Sequence, residues 1–382
     1  MTVAWHWVST PAELDEACDA LAQRDVIGVD TEFLRETTFD PIPALIQLGH
    51  EEGVWLIDPL AVAPTEALKA LLGPQGPLKL LHACGEDLEI FAHWLGDVPT
   101  PMIDTQIAEG FCSGEASMGY QRLVAQRLDR EIPKDATRSN WLARPLTEQQ
   151  CLYAALDVAY LPTLWAQQRA ALKEADKLTW VTEACQSLIS AAKTPLDFSN
   201  YYLRNKQAWR LDSRQLAVLA RLSAWREQEI RRRNMPRGHL ANDGQLYAIA
   251  ERMPKNLYAL SDIQGLKPSF IKRCGEHVLA EIQNVAAQEE HTLPATLPSP
   301  QSPAYRKRLK ALKQALNAVA EKQGIAPELL SRRLERERWI TAALTGTRPA
   351  LPQDWRTPLL APVWTHVFDA SSDSEESQEQ KA

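Results

Sequence analysis

Cysteine is scarce and dispersed in this 382-residue chain. The six cysteines (Cys18, Cys84, Cys112, Cys151, Cys185 and Cys274) form no Cys-x-x-Cys pair. That argues against a zinc site or a disulfide framework and predicts small, reduced core residues of a cytoplasmic protein. Long apolar runs are absent too. Nothing approaches the ~18 residues of a membrane span, and Met1–Thr10 does not resemble a secretory signal, so no membrane partner is expected. The phosphate-loop pattern Gly-x-x-x-x-Gly-Lys-Ser/Thr is missing, so no nucleotide cofactor is expected either. Positive charge is not in excess: 42 Lys and Arg face 49 Asp and Glu, a formal net of −7. At about 150 residues per domain, the length predicts two or three domains, each able to bury a core.

What the chain does have is acid at informative positions. In Val26-Ile-Gly-Val-Asp-Thr-Glu-Phe33 a short apolar run leads into Asp30, Thr31 and Glu32. This reads as a buried strand whose end carries two carboxylates two residues apart, hence on one face. Unpaired, they repel and raise each other's pKa, so the pair calls for a cation. An all-oxygen site suits Mg²⁺ or Mn²⁺ rather than zinc. Downstream, Leu78-Lys-Leu-Leu-His82 reads as a second short strand, and Asp87 falls in the first turn of the helix that follows, where parallel α/β sheets place their sites. Thr147-Glu-Gln-Gln150 is a capping box that opens a long helix, on which Tyr153 and Asp157 lie four apart and share a face. Each feature alone also fits a bland reading: a solvated acid pair, a helix cap, a half-buried Tyr.

Together, and in this order, Asp30-Thr-Glu32, Asp87 and Tyr153-x-x-x-Asp157 resemble the DEDDy family of 3′→5′ exonucleases. Ser139-Asn-Trp-Leu-Ala-Arg-Pro-Leu-Thr147 and Ile103-Asp-Thr-Gln-Ile-Ala108 are similar specifically to ribonuclease D, over roughly residues 20–170. The resemblance implies a phosphodiesterase that uses two divalent cations. Two such ions ~3.5–4 Å apart lower the pKa of an attacking water and stabilise the leaving 3′-oxyanion. It further implies that Asp30 bridges both ions, that Glu32 and Asp157 hold the ion on the nucleophile side, and that Asp87 serves the other through water. Tyr153, with an ordinary phenol pKa of about 10, orients water and phosphate as a hydrogen-bonding group rather than as a strong base.

Other residues are candidates for RNA contact. Thr31 and Phe33 flank the acids, and Phe33 could stack on a terminal base or simply fill the core. His82 could touch the terminal ribose or be a satisfied buried His. Lys134, Arg138 and Trp141 form a basic and aromatic stretch, with packing against Pro145 and Leu146 the plain alternative for Trp141. Gln47 could reach the RNA strand.

Element order predicts the architecture. Strands are expected near 26–33, 44–48, 53–57 and 78–82, with helices near 66–72, 87–95, 104–111, 118–128 and 147–172. This is a ribonuclease H-like α/β exonuclease domain over residues 1–190. Leu211 to Val285 reads as all helix, and Leu219-Ala-Arg-Leu-Ser-Ala-Trp-Arg226 with Ser261-Asp-Ile-Gln-Gly265 resembles the HRDC module shared by RecQ-type helicases and ribonuclease D. With no phosphate loop, helicase activity is excluded. A Pro/Ser linker, Thr292–Pro303, precedes a third helical block over 303–368. Its Leu309, Leu312 and Gly324-Ile325 echo Leu219, Leu222 and Asn234-Met235 at an offset of 90 residues. The chain is thus expected to carry two all-α HRDC-like bundles and to end in a disordered acidic tail, 369–382. Arg204 to Arg237, dense in arginine, is the expected phosphate-binding face that offsets the acidic total.

The expectation is a metal-dependent 3′→5′ exoribonuclease that trims precursor tRNA 3′ ends, its two modules forming a funnel that deletion of 211–382 would remove. The alternatives are a 3′→5′ DNA exonuclease, which would cleave a 2′-deoxy terminus as readily, and a non-catalytic RNA-binding protein, which would bind no divalent ion at the acids.

Overall fold

The computed structural model describes residues 3–133 and 139–369. Lys134 and Arg138, and the tail from residue 370, lie outside the described residues. The chain opens with a strand that has no counterpart in the sequence expectation, β1 (Trp5–Val8), and then enters α1 (Pro11–Ala22). Thr10 caps that helix in a capping box with Glu13, and Pro11 occupies its first position, where a missing N–H costs nothing. Next come β2 (Val26–Leu34), β3 (Ile42–His50) and β4 (Gly53–Ile57), an antiparallel meander, followed by α2 (Glu66–Leu72). β5 (Leu78–Leu81), α3 (Gly85–Trp94), β6 (Met102–Asp104) and α4 (Thr105–Ser113) bring the chain back parallel to β2. The six-stranded sheet has the order β1-β4-β3-β2-β5-β6, which puts β2 at the inside of the sheet.

α5 (Tyr120–Leu128), α6 (Glu148–Ala159), α7 (Leu161–Glu174) and α8 (Leu178–Lys193) complete this unit. The expected helix over 147–172 is in fact two. Pro162 has no N–H to give and cannot sit inside a continuous helix, so the chain breaks at Tyr160 and Pro162 falls in the first turn of α7. Lone glycines in β2 and β3 let α6 lie directly on the sheet. A Cβ on Gly28 would sit 2.4 Å from the Val158 carbonyl oxygen, and one on Gly49 would sit 2.5 Å from Val158 Cγ2.

A connector with two short 3-10 turns leads to α9 (Ser213–Arg232), α10 (Arg237–Leu240), α11 (Asp243–Arg252), α12 (Leu257–Ser261) and α13 (Pro268–Ala286), which enclose a hydrophobic core of their own. After the Pro/Ser linker come α14 (Pro303–Gln323), α15 (Pro327–Leu330), α16 (Arg333–Leu344) and α17 (Thr357–Trp364). The repeat foreshadowed by the sequence is present in the backbone: α14, α15 and α16 each begin 90 residues after α9, α10 and α11. The long helix of each copy ends in a left-handed residue, Asn234 at φ 45° and Gly324 at φ 58°. The bonds that close the two turns are also equivalent, Met235 N–H to Ile230 O and Ile325 N–H to Ala320 O.

Both copies use this same corner to meet the α/β unit. Asn234 Oδ1 accepts from Phe39 N–H and Asp40 N–H, each at 2.8 Å, on the β2–β3 connection. In the second copy Lys177 Nζ donates to Gly324 O and Phe111 O, each at 3.2 Å, and Ala326 N–H donates to Gly110 O at 2.9 Å. The second copy goes further and shares the α/β unit's core. Phe111 meets Trp355 edge-on at 4.9 Å between centroids, and Trp355 stacks on Trp180 at 5.5 Å. Deleting 211–382 would therefore uncover the core of the α/β unit as well as remove the expected funnel, so it does not test the funnel alone. Trp355→Ala is expected to cost ~3–5 kcal/mol of global stability. A urea midpoint shift worth under ~1 kcal/mol would mean that the last unit is only tethered. Among the described residues no helix is long and apolar enough to cross a membrane.

Candidate active site

Strand alternation turns Asp30 and Glu32 to the face that α6 covers, and the glycine-permitted approach of α6 brings Asp157 to them. Asp30, Glu32 and Asp157 each offer an oxygen, and these oxygens all lie within 4.8 Å of one another. Asp87, in the first turn of α3, stands outside that trio. Its Oδ1 accepts from the Thr31 hydroxyl at 2.5 Å. Thr31 is buried, so its side chain holds Asp87 instead of making the RNA contact expected of it.

The electrostatics of the cluster are those of a site short of positive charge. Burial, reinforced by Asp87, Asp157 and Glu32, pushes the Asp30 carboxyl well above its ordinary range. Glu32 is raised to about 9 by burial and then by Asp157 and Asp87. Burial lifts Asp157 to about 7 against the pull of a hydrogen bond from Tyr153. Burial likewise lifts Asp87 to about 6 although the Thr31 bond opposes it. No Lys or Arg pairs with any of the four among the hydrogen bonds and ion pairs of the described residues. Carboxylate oxygens with unmet negative charge suit a hard divalent cation.

Tyr153 is half-buried one turn before Asp157, and burial together with Asp157 raises its phenol further above neutrality. It therefore stays protonated at neutral pH and donates to Asp157. Phe33 is half-buried just past a register shift in β2, with the Arg35 guanidinium 5.8 Å from its ring centre.

Three expectations of RNA contact do not survive the geometry. His82 has Nδ1 2.9 Å from Thr105 Oγ1 and Nε2 3.0 Å from Met118 O, and burial holds it neutral, so it is a satisfied core histidine. Trp141 is 3% exposed, with its ring 6.1 Å from that of Tyr153, so it supports the tyrosine and has no open face for a base. Gln47 is 0% exposed and cannot reach a strand of RNA.

The arginine-rich segment is also mostly spent inside the protein. Glu227 is fully buried and takes Arg226, Arg231 and Arg237. Burial works against its charge, but the bonds from Arg237 and Arg231 win and bring its carboxyl down to about 2. Glu229 takes Arg232 and Arg233, and Glu281 takes Arg221. These charges build the first helical unit and its seat on Phe39, over which Arg231 and Arg237 stack. What stays open is the start of the segment. Arg204 and Lys206 are exposed on the rim of a groove of about 640 Å³ between the connector and the second helical unit, with Arg338 on the same rim and Trp209, Tyr305 and Leu334 in its wall.

Some supporting residues were not singled out from sequence. Arg144 grips Asp58 with two bonds of 2.7 Å and also donates to Ala44 O and Trp141 O, fastening the loop that leads into α6. Tyr120 is half-buried near Asp157 and Asp30, and its hydroxyl donates to Leu156 O inside α6. Gly28 and Gly49 could have been noticed as glycines within strands; Tyr120 left no sequence signal.

Comparison with known proteins follows the same division of the chain. Residues 5–172 match a 3′-5′ exonuclease family model, 215–282 an HRDC domain, and 303–363 the ribonuclease D C-terminal HRDC domain. A ribonuclease D from Pseudomonas paraeruginosa is 38% identical over 328 residues, covering 86% of this chain and 87% of the relative. That of Escherichia coli is 33% identical over 94% of this chain and 96% of its own length. The crystal structure of E. coli RNase D, described as an exoribonuclease involved in structured RNA processing, superposes with a TM-score of 0.85 at 32% identity, covering 97% of this chain and 99% of that one. With the acids converged at a strand end, one α/β unit and two HRDC-type bundles, the chain belongs to the ribonuclease D family and is a 3′→5′ exoribonuclease.

Proposed function

We propose that this chain hydrolyses RNA from its 3′ end with two divalent cations, Mg²⁺ or Mn²⁺, releasing nucleoside 5′-monophosphates, and that its substrates are the 3′ ends of precursor tRNA in the cytoplasm. The observation that carries the reading is the convergence of Asp30, Glu32 and Asp157 at one point, with Asp87 fixed beside them by Thr31. Bound there, the ions would supply charge stabilisation at phosphorus and a more acidic attacking water. Asp30, Glu32 and Asp157 would hold them directly. Asp87, outside the trio, would act through water. Tyr153 keeps its proton and donates to the scissile phosphate or orients the attacking water, consistent with its raised pKa. Phe33, only half-buried beside the acids, would stack on the terminal base. We take residues 1–190 as the catalytic unit, and 211–285 and 303–368 as the units that hold the RNA body.

The test is a time course on a 5′-labelled, 3′-tailed tRNA with Mg²⁺ or with EDTA. A metal-dependent ladder shortening from the 3′ end is expected. Retained RNA binding without shortening in Mg²⁺ or Mn²⁺ would sink the reading in favour of a binding protein. Equal rates on 2′-deoxy and ribo termini would favour the DNA exonuclease.

The groove rimmed by Arg204, Lys206 and Arg338 is the surface we assign to single-stranded RNA beyond the metal site. Open cations beside aromatic and apolar wall residues suit phosphates and bases together. Lys206→Glu with Arg338→Glu is expected to weaken binding of the tailed tRNA about tenfold or more at 0.1 M salt and to leave hydrolysis of a tetranucleotide unchanged. Unchanged tRNA affinity would remove the groove from the RNA path.

A further inference from the structure

Gln47 is fully buried at the centre of the sheet, and neither its Oε1 nor its Nε2 has a hydrogen-bond partner among the described protein groups. Burying an amide without a partner costs free energy, and folded proteins rarely tolerate it without a reason. Its place in the sheet supplies one. In the antiparallel register Gln47 lies directly opposite Asp30, so the two side chains project from the same face as cross-strand neighbours. That face is the one covered by α6, since Gly28 and Gly49, the next opposed pair along, both abut Val158. Of the residues these strands present there (Gly28, Asp30, Glu32, Leu45, Gln47 and Gly49), Gln47 alone carries a hydrogen-bond donor.

We propose that Gln47 is a positioning residue for Asp30: its Nε2–H, directly or through one enclosed water, orients the Asp30 carboxylate when that group holds a cation. The inference rests on the metal reading of the acids. A carboxylate that is to hold a cation needs its oxygens aimed along defined directions, and ligating carboxylates are commonly aimed by a hydrogen bond from behind. A neutral donor suits this place. A Lys or Arg would pair with Asp30 and compete with the cation, and a further acid would add repulsion to an already crowded site. An apolar side chain of the same length would pack well and leave Asp30 free to rotate. The unpaired amide thus marks a conflict between stability and function, of the sort expected where a buried polar group serves a ligand.

The experiment compares the full-length protein with Gln47→Met and Gln47→Leu in EDTA and in metal. Expected are a melting temperature in EDTA equal to or above that of the parent, and Mn²⁺ affinity by calorimetry about 10–100-fold weaker. The metal concentration for half-maximal rate should rise in parallel, with KM for RNA unchanged. Met keeps the length of Gln and serves if the Leu variant folds poorly. A melting shift with Mn²⁺ affinity and metal dependence unchanged would make Gln47 purely structural and overturn the proposal. If the parent binds no divalent ion, the metal reading and this inference both fall. If the parent binds Mn²⁺ and Asp157→Ala does not, whereas Gln47→Met binds like the parent, only the inference falls.

Discussion

Asp157→Ala should abolish 3′→5′ shortening and, at the same time, raise the melting temperature of the metal-free protein at pH 8. The first effect follows from losing one of the three converging carboxylates that we propose as metal ligands. Charge stabilisation by a bound metal is worth several kcal/mol, so a fall of about 10³-fold or more is expected. The second effect follows from the raised carboxyl pKa values. Unfolded, these groups ionise near pH 4. Folded without metal, Asp87 holds its proton to about 6, Asp157 to about 7 and Glu32 to about 9. Between those limits the folded state binds more protons than the unfolded state, so stability falls as pH rises. The metal-free protein should be most stable on the acid side of this window and lose stability steadily from about pH 4 to 9. Saturating Mg²⁺ should reverse the trend, because binding only the folded, ionised site adds stability that grows with pH. Removing Asp157 takes one acid out of the repulsion, so the variant's EDTA melting curve should vary less with pH and should no longer respond to Mg²⁺. Thermal melts at pH 5 and pH 8, with EDTA or Mg²⁺, check all of this. A parent whose metal-free stability rises between pH 5 and pH 8 would contradict the electrostatic account.

Gly28→Ala should cost more activity than its single methyl group suggests. The added carbon would lie 2.4 Å from the Val158 carbonyl oxygen, against an ordinary contact of ~3.5–4.0 Å. The obstacle is backbone, and that carbonyl belongs to the residue after Asp157. Relief therefore requires α6 to lift from β2 by about 1 Å, carrying Asp157 and Tyr153 away from Asp30 and Glu32. Overpacking of this kind costs ~1–3 kcal/mol of stability, and an ångström at a reacting centre can cost ~10²-fold in rate. Gly49→Ala is the informative partner, because its added carbon would meet the Val158 side chain at Cγ2. Combining it with Val158→Ala should restore both melting temperature and rate, whereas Val158→Ala should not rescue Gly28→Ala. Rescue of both by the same change would show that side-chain crowding, not helix position, sets the geometry.

The acids that converge in the structure were legible because their spacing along the chain is local. Asp30 and Glu32 share a face by strand alternation, Tyr153 and Asp157 share one by helical periodicity, and the cap at Thr147 announces the second helix. The repeat at an offset of 90 residues was visible for a similar reason, since each copy turns a left-handed corner, at Asn234 and Gly324. The short strands β1 and β6 were not, because they carry too little alternation to stand out, whereas β5, equally short, was read from its apolar run Leu78-Lys-Leu-Leu81.

Partner choice, by contrast, is a long-range matter. Nothing local says that Glu227, one acid among many arginines, is buried and takes three of them, so the segment from Arg204 to Arg237 reads as an RNA-binding face when most of it is scaffold. Nor does local sequence say that His82 finds Thr105 and Met118, that Thr31 spends its hydroxyl on Asp87, or that Trp141 and Gln47 are sealed inside. Sequence by itself determined which acids would meet and on which strand and helix they stand. Only the tertiary structure decided which remaining polar groups are free to meet RNA, because a side chain's availability depends on which distant segments fold against it.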